Sequence, residues 1–370
     1  MVVSRVTLPS EFYDRTSELM LVQPEPQYVW ARLLFMASGQ AELRRAAALG
    51  ISPDRAIAAI GAQVPDLAEM QLLLSDTVRG EAILVSDELG VAKHGHTVRI
   101  NRPIFTNSTY TEASRTVAAG QTISTTPIDL TAEQVAITIH RQCGPYASSS
   151  VRPYAVDRMD AEHAVHSLAS TVGLHMSRDR NRYVDTVIGG LFDTVASGNT
   201  LYPGDSANAL STDASAFVSN GDRPFDVETI FRAEENLNAA NVPRFANGTY
   251  AVVLTPRQVR QLRSDPQFGR LSPFESEKNP LTTAFVGNIG KTVEVYVGTT
   301  QTIDTTTVSG VSIQHGVMFG PGKVGYANAG PCRVAASTDD NYGETAKVIW
   351  ICYEGQADLD ARFGCAIHSD

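Results

Sequence analysis

The 370-residue sequence predicts an α+β fold. Three observations predict it: a helix-rich stretch over residues 1 to about 90, a strand-rich stretch from 95 to 140 broken by a polar excursion, and a helix–strand–helix unit from Phe225 to Phe268 that leads into further strands. Hydrophobic residues make up 43% of the chain, ample for a packed core and enough for two or three domains at this length.

The first stretch opens with Pro24 and Pro26 ahead of an amphipathic run, Tyr28, Trp30, Leu33, Leu34 and Met36, that continues through Leu43 and stops at Gly50. A second helix begins near Ser52-Pro53, with Ile57, Ile60, Val64, Leu67, Met70 and Leu73 on its apolar positions. Two strands follow. Val98 and Ile100 alternate with Thr97, Arg99 and Asn101, and Val135, Ile137 and Ile139 alternate with Ala136, Thr138 and His140. Between them, Asn107 through Thr126 is rich in Thr and Ser and poor in large apolar residues, so it makes no core of its own. A two-stranded hairpin of this kind is marginal in water unless something covers it.

A long helix is expected from Asp157 to Ala196. Val165, Leu168, Val172, Met176, Tyr183, Val187, Leu191 and Val195 form one apolar stripe, which Gly173 and the Gly189-Gly190 pair weaken. Residues 199 to 224 carry Asn199, Pro203-Gly204, Asn208, Ser219-Asn220-Gly221 and Pro224 and read as a turn-rich insertion or linker.

The unit at 225–268 has the clearest local chemistry. Asp226 caps a helix with Val227, Ile230, Phe231 and Leu237 at helical spacing, and Phe225 is placed to staple onto Ile230. The helix must stop before Pro243. Asn247-Gly248 makes a turn, and Tyr250 to Leu254 reads as a buried strand. Thr255 as cap and Pro256 at the first helical position open a second helix that ends at Asp265-Pro266. Strands then recur at Val293, Val295 and Val297, at Val311 to Phe319 and at Ala346 to Tyr353, the last apolar on both faces and therefore central in a sheet.

The run EENLNAANVPRFANGTYAVVLTPRQVRQLRSDPQF, Glu234 to Phe268, resembles a passage of the major capsid proteins of tailed bacteriophages, the Hong Kong 97 type. The whole order of elements resembles that family too. The resemblance implies an N-terminal arm at 1–94, an extended loop with flanking strands at 95–140, a peripheral domain with a spine helix at 141–198 and 346–370, and an axial domain with a turn-rich insertion at 199–345. It implies self-assembly of the chain into hexamers and pentamers of an icosahedral head shell. Expected partners are scaffold, portal and decoration proteins, and the shell encloses double-stranded DNA without sequence-specific binding. The expected location is the virion, assembled in the host cytoplasm. An arm lying across a neighbouring subunit and a helical subdomain packed on its own chain both fit residues 1–90. Expected contacts between subunits are Tyr28, Trp30 and Phe35 in the arm and Arg99, Arg102, Phe105 and Tyr110 in the loop, with packing inside the subunit the other reading of Trp30 and Phe35. Some family members weld their shells through a loop lysine, but residues 97 to 140 contain none, so no crosslink is expected.

Composition fits a wall. The net charge of −10 argues against a chain that grips nucleic acid through phosphates. The 25 Arg outnumber the 5 Lys, which suits bidentate pairs at subunit interfaces, although a high-GC genome produces the same skew. The four cysteines, Cys143, Cys332, Cys352 and Cys365, form no CxxC pair and no zinc or disulfide framework, and Cys352 is expected as a buried thiol in a reducing cytoplasm. The amino terminus lacks a signal-peptide core, and no run approaches the roughly 18 apolar residues that span a membrane.

The active-site patterns in the chain fail on their context. Gly320 to Gly325 spells GxGxxG after a strand, but Tyr326 to Pro331 is a poor helix for holding a pyrophosphate. Gly290-Lys291-Thr292 ends like a phosphate-binding loop, yet Phe285 stands where its first glycine belongs and a strand follows. His163 and His166 beside Glu162, and His94 near His96, lack a third ligand cluster. No catalytic residue, metal site or cofactor is expected. The rivals to a phage shell are an encapsulin-type compartment, which shares the fold and encloses an enzyme, and a soluble enzyme with an unrecognised site.

Overall fold

The computed structural model describes residues 29–31, 33–34, 37, 81–85, 97–101, 134–147, 150–151, 153–157, 168–196, 198–201, 225–271, 285–298, 307–308, 311–340 and 345–369. In chain order the strands and helices begin with β1 (Ile83–Val85), β2 (Thr97–Asn101), β3 (Gln134–Thr138), β4 (His140–Gly144), β5 (Tyr146–Ala147), β6 (Ser150–Val151) and β7 (Tyr154–Asp157). Then come the long helix α1 (Leu168–Asp193), β8 (Thr200–Leu201), α2 (Val227–Ala239), β9 (Tyr250–Leu254), α3 (Pro256–Ser264) and α4 (Pro266–Leu271). The remainder is strand: β10 (Phe285–Ile289), β11 (Val293–Val297), β12 (Thr307–Val308), β13 (Val311–Ser312), β14 (Gln314–Phe319), β15 (Val324–Asp340), β16 (Thr345–Asp358) and β17 (Gly364–Ser369).

Two sheets organise these strands. A six-stranded sheet runs β10-β11-β9-β14-β17-β8, and a five-stranded sheet runs β1-β15-β16-β4 with β7 also on β16. The expected central strand is confirmed, because β16 has β15 along one edge and β4 and β7 along the other. Residues 324–340, assigned with 199–345, belong to the five-stranded sheet as β15, and 364–369, assigned with 346–370, belong to the six-stranded sheet as β17. The chain crosses between sheets at Gly320–Lys323 and again at Leu359–Phe363, where Leu359 N donates to Lys323 O and Gly320 N to Phe363 O.

The helix–strand–helix unit folds as its local signals dictate. Asp226 accepts from Thr229 N at 2.9 Å, and Phe225 and Ile230 are both buried in one core with Leu237. The helix ends at Ala239, four positions before Pro243, for a reason beyond the proline. Asn241 takes a left-handed φ of 53°, Asn241 N bonds Asn238 O, and Val242 N bonds Leu237 O, a Schellman stop. Thr255 and Gln258 form a capping box around Pro256, and all five residues of β9 are buried at the centre of the six-stranded sheet. Asp265 holds two starts at once, accepting from Gln267 N for α4 and from Val227 N for α2.

Each face of the six-stranded sheet packs a different partner. Val252, Leu254, Met318 and Ile367 face α2 and α3, while Val253, Val317 and Phe319 face the second half of α1. The first half of α1 lies on the five-stranded sheet, where Val172 and Met176 meet Val348, Trp350 and Cys352. One helix therefore walls both cores. Its expected start at Asp157 is corrected, since that residue ends β7; residues 158–167 lie outside the described residues.

Candidate assembly elements

The pair β2 and β3 is the first such element. β2 and β3 pair antiparallel from Thr97↔Thr138 to Asn101↔Gln134, as their alternation predicts. Val98, Ile137 and Ile139 are buried against Ala327, with Ile100, Tyr353 and Ala357 packed beside them. The seat on the sheet is made of small residues. Across β15 and β16, Gly325 pairs with Ala357 and Ala327 with Gly355, so four residues with little or no side chain share one face. A Cβ on Gly355 would stand 2.3 Å from the carbonyl oxygen of Thr138, and one on Gly325 would stand 2.8 Å from Ile137 Cδ1. The hairpin thus enters the sheet at a distance only glycine permits. Of the expected loop contacts, Arg99 stands exposed on β2, available to a neighbour, while Arg102, Phe105 and Tyr110 lie outside the described residues.

The N-terminal segment behaves otherwise than an arm at its described positions. Residues 29–31, 33–34 and 37 are helical and buried in the core shared by α1 and the six-stranded sheet. Trp30 is 1% exposed, stacks on Phe192 at 4.5 Å between centroids and lies 5.7 Å from Phe319. Asp185, buried on α1, accepts from Trp30 N at 2.8 Å and Ala31 N at 3.2 Å, which places a carboxylate at the positive end of that helix. The Trp30 ring thus packs in the core of its own subunit, the second of the two readings its sequence allowed. Tyr28 and Phe35 lie outside the described residues.

Charged and polar groups invisible to sequence patterns hold the sheets to α1. Glu354, buried on β16, accepts from Tyr326 Oη at 2.6 Å and pairs with Arg180 of α1 at 3.4 Å. Burial, with the Glu354 charge beside it, pushes the Tyr326 phenol well above its usual range. Asp179 accepts from Trp350 Nε1 at 2.8 Å. Lys323, fully buried, donates to Thr194 O at 2.6 Å and to Asp358 at 3.0 Å, so an ammonium caps the carbonyl end of α1. Burial lowers the Lys323 pKa and raises that of Asp358, each shift opposed by the other's charge.

These positions also explain the rejected motifs. Lys323 is the lysine of the GxGxxG spelling, and Gly322, at a φ of 74°, turns the chain into β15 instead of a helix. Gly290 and Lys291 both have positive φ, 59° and 62°, with Thr292 N donating to Ile289 O, a hairpin turn between β10 and β11. His163, His166, His94 and His96 lie outside the described residues.

Sequence reasoning missed two further groupings. Cys332 and Cys352 are joined as a disulfide across β15 and β16, with Cα atoms 4.4 Å apart, which corrects the expectation of a free Cys352 thiol. The shift of register between Gly330 and Arg333 brings Cys332 opposite Cys352, and no spacing in the sequence signals it. Asp193, His315 and His368 converge where α1 ends on β14 and β17. His368 and His315 are register partners, a relation that a pairing of the two strands would have exposed.

With this architecture in place, two solved structures are similar to the chain. The capsid of Ralstonia phage GP4 shares 15% identity, covers 78% of this chain and 86% of its own, and superposes with a TM-score of 0.54. The cyanophage Pam1 capsid shares 11% identity over 78% of this chain and 88% of its own, with a TM-score of 0.52. No family model matches the sequence, and no curated protein does. The fold is that of phage capsid proteins of the Hong Kong 97 type.

Proposed function

We propose that the chain is the major capsid protein of a tailed double-stranded DNA bacteriophage, a shell-forming protein and not an enzyme. The observation that carries this is a shared capsid fold that extends over 78% of the chain. Subunits gather as hexamers and pentamers in an icosahedral lattice that encloses DNA. The net charge of −10 suits a wall that does not grip the genome. The six-stranded sheet with α2, α3 and α4 takes the axial role around the centre of each capsomer. The five-stranded sheet with α1 takes the peripheral one. The extended loop, rooted on Gly325 and Gly355, lies over a neighbour, with Arg99, Arg102, Phe105 and Tyr110 as its contacts and Tyr28 and Phe35 as those of the N-terminal segment. Many modest interfaces then sum to a stable lattice. Scaffold, portal and decoration proteins are the expected partners, the host cytoplasm the place of assembly and the virion the destination.

Negative-stain electron microscopy of the purified protein, alone and with a scaffold encoded beside its gene, tests the reading. Closed shells tens of nanometres across are expected; a uniform small oligomer under both conditions overturns it. An encapsulin-type compartment is less favoured, because both structures with a TM-score above 0.5 reported above are phage capsids. Terminase and portal genes beside this one would fit the phage reading, and an enzyme cargo gene in their place would fit the compartment.

A further inference from the structure

We infer that Asp193, His315 and His368 form a binding site for a divalent transition ion of the zinc class, at the junction of the long helix with the six-stranded sheet. The three side chains come from three elements. His315 on β14 and His368 on β17 are register partners on the face that carries Val317 and Phe319, and Asp193 is the last residue of α1. One ligand atom from each lies within 4.8 Å of the others.

An ordinary histidine–carboxylate pair explains only part of this arrangement. His315 Nδ1 lies 3.1 Å from Asp193 Oδ2, which accounts for one imidazole and one oxygen. Asp193 Oδ1, however, is buried and has no hydrogen-bond partner among the described residues. A buried carboxylate oxygen without a donor is costly, and a cation relieves it. The His315 and His368 rings stack with centroids 3.9 Å apart and planes 25° from parallel, which brings two imidazoles to one place. Imidazole nitrogen is a common ligand of such ions.

The local field favours a cation. Asp193 stands at the carbonyl end of a 26-residue helix with no basic residue in its last turn. Lys323, the ammonium at this helix end, donates to Thr194 O and Asp358. The His315 and Asp193 side chains keep 12% and 28% of their surface exposed, so an ion can enter and water can complete its shell. Two nitrogens and one oxygen suit zinc, cobalt, nickel or copper, whereas calcium and magnesium require more oxygens. Ligand atoms of a tetrahedral zinc site lie about 3.3 Å apart, so the three side chains close in by rotation when the ion binds. The bound ion ties the end of α1 to two strands of the sheet.

The test uses the full chain stripped with chelator. Zinc titration by calorimetry should show one ion per chain, and cobalt should give the visible absorption of a tetrahedral site. Zinc should raise the melting temperature of the unassembled subunit relative to chelator. Binding should weaken at least tenfold in His315→Ala/His368→Ala and at pH 5.5, where protons compete for imidazole. Asp193→Asn, which keeps shape and the hydrogen bond to His315, should weaken it as well and gives the answer if the double variant fails to fold. Absence of one-per-chain binding, or binding unchanged in the variants, overturns the site.

Discussion

The six-stranded and five-stranded sheets are built by opposite strategies. Around β9 the chain writes its own boundaries: Asp226, Asn241, Thr255 and Pro256 start and stop helices through bonds to residues three to five positions away. The five-stranded sheet instead assembles β1, β4, β7, β15 and β16 from residues 83 to 358, and its hairpin is admitted by glycines whose partners lie far off in sequence. A fold can thus specify one half by local chemistry and the other by room left for a distant segment.

Breaking the room should do most damage. Gly355→Val places a Cβ against the Thr138 backbone carbonyl, 2.3 Å from its oxygen, and backbone cannot swing aside as a side chain can. A destabilisation of about 3 kcal/mol or more is expected in denaturant unfolding of the unassembled subunit, with loss of closed shells by microscopy. An unchanged midpoint would mean that the hairpin does not rest there.

A titration sharpens the contrast from the other sheet. Cys365, buried on β17, has its thiol pushed up from 9.0 to about 12 by burial. A raised folded-state pKa gives stability that is full below 9 and lost as pH rises toward 12. Cys365 should therefore steepen the alkaline loss by up to about 1.4 kcal/mol per pH unit. Cys365→Ala should start less stable yet fall more gently between pH 9 and 11; equal slopes would place the thiol in water.

Loss of a local signal should cost least. Thr255→Ala removes the side chain that accepts from Gln258 N, with an expected loss of about 1 kcal/mol by chemical denaturation and intact shells. A loss as large as that of Gly355→Val would erase the distinction between the two strategies.

What the sequence revealed follows the same division. The bounds of α2, β9 and α3 were legible because caps, prolines and Asn-Gly act within one turn. The strands β2 and β3 were legible from alternation, and β16 from its apolar run. The 17-residue β15 was not, because Gly325, Ala327, Asn328, Ala329 and Gly330 carry little strand propensity and owe their conformation to β16 and the hairpin above them. β17 escaped because Gly364, Cys365 and Ala366 give it no β-branched or alternating pattern, and with it the return of the chain to the six-stranded sheet. Among site residues, the exposure of Arg99 on β2 follows from its alternation with Val98 and Ile100. The packing of Trp30 was not legible, because its anchor, Asp185, stands 155 positions away. Lys323 was visible only as a letter in a phosphate motif, since nothing local reports its burial. Asp193, His315 and His368 meet only once three elements are packed.

The sharing of α1 has a mechanical consequence. Its first half is the wall of one core and its second half the wall of the other, with Asp179 and Arg180 tied to β16 and the carbonyl end tied to Lys323. Neither sheet can come apart without stripping half the helix from the other. A subunit built this way yields to load as one stiff beam, not as two blocks joined by a hinge.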